Sequence, residues 1–184
     1  MRKYVISFFV LIVCQMVVLI ALGRSWWCLC GGWAVASWDI WSRHNSQHLF
    51  DPYTLSHISH GLLFFVFFAW VLKSRAVGVR FVLATGLEVL WEIAENSPFI
   101  IERYRSATIS LDYYGDSILN SLSDTLSCGF GFWLAARIGV RLALVIFVAL
   151  DLGQLLWVRD CLSLNILMLI NPLESVKSWQ RGAG

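Results

Sequence analysis

Long apolar runs, separated by shorter polar segments, follow one another along most of the chain. A transmembrane helix needs about 20 mostly apolar residues, and five runs come close to that length. They predict membrane-spanning helices at about residues 4–22, 55–72, 79–96, 116–136 and 142–158. A sixth run, at 162–170, is too short to cross alone, and we expect a re-entrant or interfacial segment there. The pattern predicts an all-α integral membrane bundle of five or six helices, forming one domain over residues 1–184.

The first run has an alternative interpretation as a cleaved signal peptide, because Ala21 and Gly23 fit a small-x-small cleavage site. The run is longer than the usual apolar region of a signal peptide, about 7–15 residues. We therefore favour a retained helix.

Two long loops are expected on one side of the bundle. Residues 23–54 are polar and carry five tryptophans, which suit the membrane–water interface and include a segment able to lie flat as an amphipathic helix. Residues 101–115 form the second predicted loop, since Pro98 should end or kink the preceding helix.

Composition supports the membrane class. Hydrophobic residues make up 58% of the chain and charged residues 14%, with a mean hydropathy of +0.68, whereas a typical soluble domain is roughly 25% charged. The net charge is +2, and the chain has no basic run that could bind phosphates, so nucleic-acid binding is not expected.

The placement of lysine and arginine predicts the orientation. With the N-terminus inside, the inner segments carry seven of these residues and the outer loops before the tail carry four. The inner residues are Arg2, Lys3, Lys73, Arg75, Arg80, Arg137 and Arg141, and the outer residues are Arg24, Arg43, Arg103 and Arg105. This favours a cytoplasmic N-terminus, with both long loops in the periplasm if the source is a Gram-negative bacterium.

Three predicted spans nevertheless carry a polar stripe along one helical face. The stripes are Tyr53, His57 and His60; Glu88, Glu92 and Glu95; and Asp116, Asn120 and Asp124. Because consecutive spans are antiparallel, we expect Glu95 to lie level with Asp116 near the outer surface. Glu92 should lie near Asn120, and Glu88 near Asp124 toward the centre.

These carboxylates cannot face lipid, since an ionised one at a helix centre costs about 2.5–3.5 kcal/mol on insertion scales. They must be protonated, paired, hydrated or metal-bound. One hypothesis is a structural network in which they pair with Arg103, Arg105 or the histidines. The other is a functional site, because intramembrane ionisable groups mark such sites by default.

Imidazole and carboxylate groups suit zinc or a similar divalent ion, so we predict a metal site. Its candidate ligands are His57, His60, Glu92, Glu95 and Asp116. Glu88 or Asp124 would act as general base. Candidate substrate-binding groups are Asn96, Asn120, Arg103 and Arg105, the two arginines either clamping an anionic head group or serving as interface anchors.

Three functions fit an outward-opening pocket lined by the polar stripes of the three helices. The first is a metal-dependent enzyme acting at the outer face on a lipid or lipid-linked substrate. The second is a proton- or cation-coupled transporter, which in so short a chain would need a homo-oligomer. The third is a membrane assembly factor without catalysis.

The cysteines leave alternatives open. Cys28 and Cys30 are two residues apart, too close for a relaxed disulfide with each other. They could bind metal, one of them could bridge to Cys161, or both could be inert. Cys14 and Cys128 lie in apolar runs and are expected to act as small buried hydrophobes.

Several stretches occur together in a way that resembles one family. They are "NSQHLFDPYTLSHISHG", "WEIAENSPFIIERYR" with "DYYGDSILNSLSD", and "RDCLSLNILMLINPLE". The chain resembles the bacterial multi-pass inner-membrane proteins grouped as domain of unknown function 2585. The resemblance implies a cell inner-membrane location and brings no activity, substrate or cofactor. A looser likeness to VanZ-like membrane proteins is one of pattern, and fold-level analogy does not carry function.

Overall fold

The computed structural model of the protein describes residues 2–108 and 113–182. Within these ranges the chain forms eight helices and no strand, which confirms the all-α class. The helices are α1 (Arg2–Ala21), α2 (Thr54–Val71), α3 (Val77–Glu95), α4 (Pro98–Ala107), α5 (Ile118–Ile138), α6 (Val140–Val158), α7 (Leu162–Ile170) and α8 (Glu174–Gln180).

Five of the helices coincide with the five predicted spans, and every end agrees within two residues. Three of them, α1, α2 and α6, are long and apolar enough to cross a membrane by length and composition. Helices α3 and α5 are of similar length but carry the acidic and amide stripes. The short apolar run in the tail forms α7, a helix of 9 residues.

The predicted loop at 101–115 is wrong over its first part, because Pro98–Ala107 forms α4. Proline lacks the backbone N–H that the first turn of a helix leaves unpaired, so it fits the start of a helix as well as the end of one. The Ser97 side chain caps α4 by accepting from the backbone N–H of Ile100. Residues 109–112 of the predicted loop lie outside the described residues.

The tryptophan-rich loop contains turns and bends and no helix, so the flat amphipathic helix expected there is wrong. Its last part is held by Asp51, whose carboxylate accepts from the backbone N–H groups of Ser46 (3.0 Å), Tyr53 (2.7 Å) and Thr54 (3.1 Å). Burial raises the pKa of the Asp51 carboxyl in spite of these donors. Helix α2 begins at the end of this turn, which orients the residues that follow.

The loop also docks on the start of α5. The Asn120 amide donates to the carbonyl oxygen of His48 at 2.7 Å, and the Ser117 hydroxyl donates to that of Gln47 at 3.1 Å. The Gln47 amide in turn donates to the carbonyl oxygen of Gly115 at 2.8 Å. The loop is therefore fixed to the bundle by its backbone.

Helices α2 and α5 form the closest contact in the bundle, and two glycines permit it. A Cβ atom at Gly61 would lie 2.0 Å from the carbonyl oxygen of Cys128, and one at Gly131 would lie 2.1 Å from that of Ile58. Aromatic rings fill the space beside this contact, where Phe132 meets Phe65 edge-on. The two polar stripes of these helices are brought together by this packing.

Helix α1 packs against α3, where Phe8 stacks on Phe81, and one buried amide joins it to α5. Gln15 donates to the hydroxyl of Ser121 at 3.0 Å and accepts from the hydroxyl of Thr125 at 2.9 Å. Most other side chains of α1 point outward, as do many of α6, so that Phe9 and Leu156 are 60% and 85% exposed. Cys14, expected to be buried, is exposed on α1, whereas Cys128 is buried as predicted.

Candidate functional site

His57 on α2 lies at the centre of a cluster of acidic side chains. Its Nδ1 is 2.6 Å from Glu88 Oε1 and 3.2 Å from Glu92 Oε1, both on α3. Its Nε2 is 3.8 Å from Asp124 Oδ2 on α5. A single imidazole therefore faces three carboxylates from two other helices.

Glu88 is fully buried and is shared by two histidines. Besides its contact with His57, its Oε2 lies 2.9 Å from Nδ1 of His60, one turn along α2. The spacing of the two histidines places both rings on the same helical face, with their centroids 5.2 Å apart. Both oxygens of Glu88 are thus engaged by imidazole nitrogens.

Glu92 and Asp124 each keep one carboxylate oxygen without a hydrogen-bond partner among the described residues, Oε1 of Glu92 and Oδ1 of Asp124. The other oxygen of Glu92 accepts from the Ser121 hydroxyl, which also binds Gln15. Buried anionic oxygens that lack a donor are costly unless a cation or a proton compensates them. The cluster is therefore suited to hold a positive charge.

A second part of the site joins the end of α3 to the start of α5. The Asn96 amide donates to Asp116 Oδ2 at 2.7 Å, and its oxygen accepts from the backbone N–H of Asp116 at 2.8 Å. The Tyr113 hydroxyl donates to Asp116 Oδ1 at 2.9 Å. Asp116 thus has partners for both oxygens.

Several of these side chains line a cavity of about 300 Å³, although Glu88, Glu92 and Asn96 are not among its lining residues. Five of its polar lining residues, which we call the polar floor, are His57, His60, Glu95, Asp116 and Asp124. Its apolar wall consists of Leu63, Phe64, Trp91, Leu162, Ile166 and Leu169. Nonpolar surface predominates in the lining, and α7 contributes half of the apolar wall.

Two overlapping groups of side chains in this site could hold a metal ion. His57, His60 and Glu88 form one, and His57, Glu92 and Glu95 form the other, with ligand atoms within 4.8 Å of one another in each. Four of the five predicted ligands thus belong to a group of suitable geometry. Neither group includes Asp116, and Glu88, predicted as a base, lies among the ligand atoms instead.

The two predicted arginines lie elsewhere in this structure. Arg103 donates to the carbonyl oxygen of Leu169 at 2.9 Å, at the end of α7, and Arg105 donates to that of Tyr113 at 2.7 Å. Neither lines the described part of the cavity. The side-chain amide of Asn120 donates to the carbonyl oxygen of His48. The role of Asn120 as a substrate-binding group stays a prediction.

Three contributors to the site were not predicted from the sequence. Gln15 and Ser121 orient Glu92, and α7 supplies much of the apolar wall. A lone glutamine in the first apolar run was the available signal for Gln15. For α7 the signal was an apolar run too short to cross a membrane, but nothing in the run identified its partner helices.

Asp160 fixes α7 to the start of α2 and is expected to make stability depend on pH. It accepts from the Tyr53 hydroxyl at 3.0 Å and from the Asn165 amide at 3.2 Å. Burial raises the pKa of its carboxyl from 3.8 to about 6. The native state therefore holds the proton more tightly than the unfolded state, and this contribution to stability is complete below pH 3.8 and is lost as the pH rises through about 6.

We expect Asp160→Asn to reduce the loss of unfolding free energy between pH 4 and pH 8 by about 2 kcal/mol, since part of the effect falls below pH 4. Chemical unfolding in detergent, followed by tryptophan fluorescence at several pH values, measures this difference. The exposed Asp39→Asn variant is the control and should follow the wild type. Parallel pH profiles for Asp160→Asn and the wild type would contradict the prediction.

Comparison with known proteins identifies the family. A profile described as "Protein of unknown function (DUF2585)" matches residues 19–182. A UPF0314 protein of Sinorhizobium fredii is 51% identical over 163 residues, covering 88% of this chain and 82% of that protein. A UPF0314 protein of Rhizobium meliloti is 48% identical over 170 residues, covering 91% and 85%. No solved structure matches the chain. The chain belongs to the DUF2585 family of proteins of unknown function.

Proposed function

We propose that the chain is a multi-pass protein of the bacterial inner membrane and a metal-dependent enzyme acting on a lipid or lipid-linked substrate. One observation carries the proposal. His57 lies among three buried carboxylates, two of them with an oxygen that accepts no hydrogen bond, at the floor of a cavity that is otherwise largely apolar.

The donor set supports a zinc-like ion. Nδ1 of His57, Nδ1 of His60 and the Glu88 carboxylate form one of the two candidate groups. Glu92 Oε1, which has no hydrogen-bond donor, lies 3.2 Å from Nδ1 of His57. Two imidazole nitrogens and two carboxylate oxygens match the preferences of zinc. A divalent ion would also compensate the buried negative charge.

The cavity supports an amphiphilic substrate. A polar head group would contact the polar floor, while an acyl or prenyl chain would lie along Phe64 on α2, Trp91 on α3 and Ile166 on α7. A volume of about 300 Å³ is at the lower end for ligand pockets, which run from about 300 to 1,000 Å³. It fits a head group and the adjoining part of a chain.

Asp124 is the better placed of the two candidate bases. Its Oδ1 has no hydrogen-bond partner and its side chain lines the cavity, whereas both oxygens of Glu88 are engaged. A bound metal ion lowers the pKa of water and polarises a substrate oxygen. In hydrolysis of an ester or phosphoester, Asp124 would take a proton from the attacking water. The water oxygen bonds to carbon or phosphorus, the bond to the alcohol oxygen breaks, and Asp124 returns the proton to that alcohol.

The outward-facing side chains support the membrane location. The exposed faces of α1 and α6 are rich in valine, leucine and isoleucine, which lipid would cover. The excess of lysine and arginine on one side favours a cytoplasmic N-terminus. The cavity then lies toward the periplasmic ends of α2, α3 and α5.

The experiment is metal analysis of the detergent-purified protein, without added metal, by inductively coupled plasma mass spectrometry. We expect Glu92→Ala and His57→Ala each to lose one equivalent of zinc or a similar ion relative to the wild type. Glu92→Gln keeps the size of the side chain, so a loss of metal in this variant can be attributed to the lost ligand and not to misfolding. Glu102→Ala, at an exposed glutamate of α4, is the matched control and should keep the metal.

Activity is tested on the same samples in liposomes of phosphatidylethanolamine and phosphatidylglycerol, with products identified by mass spectrometry. The wild type should form a product that Asp124→Asn does not form. Retention of the full wild-type metal content in both the Glu92 and the His57 variants would overturn the metal site. Proton flux in these liposomes without any lipid product would favour the transporter instead.

A further inference from the structure

The tryptophan-rich loop brings together two cysteines and two histidines that lie outside the site described above. Cys28, Cys30, His44 and His48 each offer a ligand atom, and these atoms lie within 4.8 Å of one another. The sulfur of Cys28 is 3.3 Å from Nδ1 of His44 and 2.6 Å from the sulfur of Cys30. All five cysteines of the chain are free thiols, so no bridge to Cys161 competes for this pair.

We propose that Cys28, Cys30, His44 and His48 bind a structural zinc ion. Two thiolates and two imidazoles form one of the donor sets found in tetrahedral zinc sites. The histidines are separated by three residues, within the H-x3–5-H spacing of such sites, whereas the cysteines, with one residue between them, are closer than the typical C-x2–4-C spacing. The chain itself supplies all four donors, and a closed coordination shell of this kind is typical of structural zinc.

The turn around the cysteines is shaped to direct both sulfurs to one point. Gly31 has φ 73°, a left-handed conformation that favours glycine, and its N–H donates to the carbonyl oxygen of Cys28 at 3.3 Å. The backbone N–H of Cys30 donates to the Cys28 sulfur at 3.4 Å, and that of Gly32 donates to the Cys30 sulfur at 3.3 Å. Such N–H···S hydrogen bonds stabilise thiolates and orient them as ligands.

His48 is held in the tautomer that a metal ligand needs. Its Nδ1 faces the carbonyl oxygen of Ala34. A carbonyl can only accept, so Nδ1 carries the proton and Nε2 is left with a free lone pair. A hydrogen bond from the second ring nitrogen to a carbonyl is the usual outer support of zinc-binding histidines. The ring of Trp27 packs edge-on against His48, with centroids 5.3 Å apart, and limits its rotation.

A metal ion would add to the hydrogen bonds that hold this loop in shape. Residues 22–53 form no helix and contribute only one isolated bridge, between Ala36 and Phe50. Cys28 and His48 are nevertheless 6% and 3% exposed. Segments with so little regular structure often depend on a metal or a disulfide for stability. A disulfide between residues two apart is strained, so zinc is the better cross-link for this sequence.

The proposed zinc site adjoins the cavity through the chain between its two histidines. Asn45 and Ser46 lie between His44 and His48 and line the cavity. Zinc would therefore hold one part of the cavity wall in place. The site itself uses none of the residues assigned to the proposed catalytic metal, so the two proposals can fail independently.

The test uses cobalt(II) in place of zinc in the full-length protein purified in detergent. Thiolate coordination gives a sulfur-to-cobalt charge-transfer band in the near ultraviolet. We expect this band in the wild type. Cys28→Ser should lose the band and should also lose one equivalent of zinc. His48→Ala should lose the same equivalent. Cys14→Ser, at an exposed cysteine, and Glu92→Gln should both keep the band, which separates this site from the one at His57.

Two results would overturn the proposal. The first is a wild type without the charge-transfer band, a measurement that does not depend on how the variants fold. The second is a disulfide between Cys28 and Cys30, detected by mass spectrometry of peptides from protein alkylated before reduction.

Discussion

Replacing Gly61 with alanine is expected to destabilise the bundle severely. The added Cβ would lie 2.0 Å from the carbonyl oxygen of Cys128 and 2.5 Å from the backbone nitrogen of Phe132. Both atoms belong to the backbone of α5 and cannot move by a change of rotamer. Overpacking of a core typically costs 1–3 kcal/mol, and we expect roughly 3 kcal/mol or more here, since two helices must separate. Gly131→Ala should behave in the same way.

The matched control is Gly86→Ala on α3, where an added Cβ would meet no atom within 4 Å. Alanine is favoured over glycine inside a helix by about 0.8–1.0 kcal/mol, so this variant should be as stable as the wild type or more stable. Thermal unfolding in detergent, followed by size-exclusion chromatography, measures both effects. Equal melting temperatures for Gly61→Ala and Gly86→Ala would contradict the close packing of α2 and α5.

Replacing Asn96 with aspartate is expected to separate the end of α3 from the start of α5. The Asn96 amide donates to Asp116 Oδ2 at 2.7 Å and to the carbonyl oxygen of Glu92 at 3.0 Å. A carboxylate cannot donate either bond and would face the carboxylate of Asp116. Leaving a buried charge without its partner costs about 3–5 kcal/mol, and this is the loss we expect at pH 8.

The loss should diminish at pH 5, because two carboxylates in contact can share one proton. Unfolding free energies of Asn96→Asp and the wild type at the two pH values measure this effect. Asn171→Asp, at an exposed position after α7, is the control, and its effect should stay within about 0.5 kcal/mol. A loss of stability that does not depend on pH would show that the two carboxylates do not meet.

The helical bundle was predictable from the sequence because its signal is local. Apolar runs of about 20 residues interrupted by charges placed α1, α2, α3, α5 and α6 within two residues at each end. Helix α4 was missed because "IERYR" is polar and has no apolar periodicity of its own. Its helical form depends on the Ser97 cap and on contact with α7, and that contact joins segments about 60 residues apart.

The candidate site was predictable as far as helical spacing reaches. Spacings of three and four residues placed the histidines and the glutamates on shared faces, but the contact of His57 with Asp124, seen in the structure, was not among the pairings expected from the antiparallel order. Of the four metal donors in the tryptophan-rich loop, only half could be recognised from the sequence. Cys28 and Cys30 were noted, but His44 and His48 lie in an irregular loop, where spacing along the chain does not determine distance in space.

The buried amide of Gln15 has a consequence for the order in which the protein is assembled during synthesis. His57 and Glu88 are 31 residues apart, so the α2–α3 hairpin can pair its polar groups within roughly 2 to 6 s of translation at 5–20 residues per second. Gln15 and Ser121 are 106 residues apart, which corresponds to roughly 5 to 20 s at that rate. The amide of Gln15 on α1 must therefore stay unpaired until the start of α5 has been synthesised.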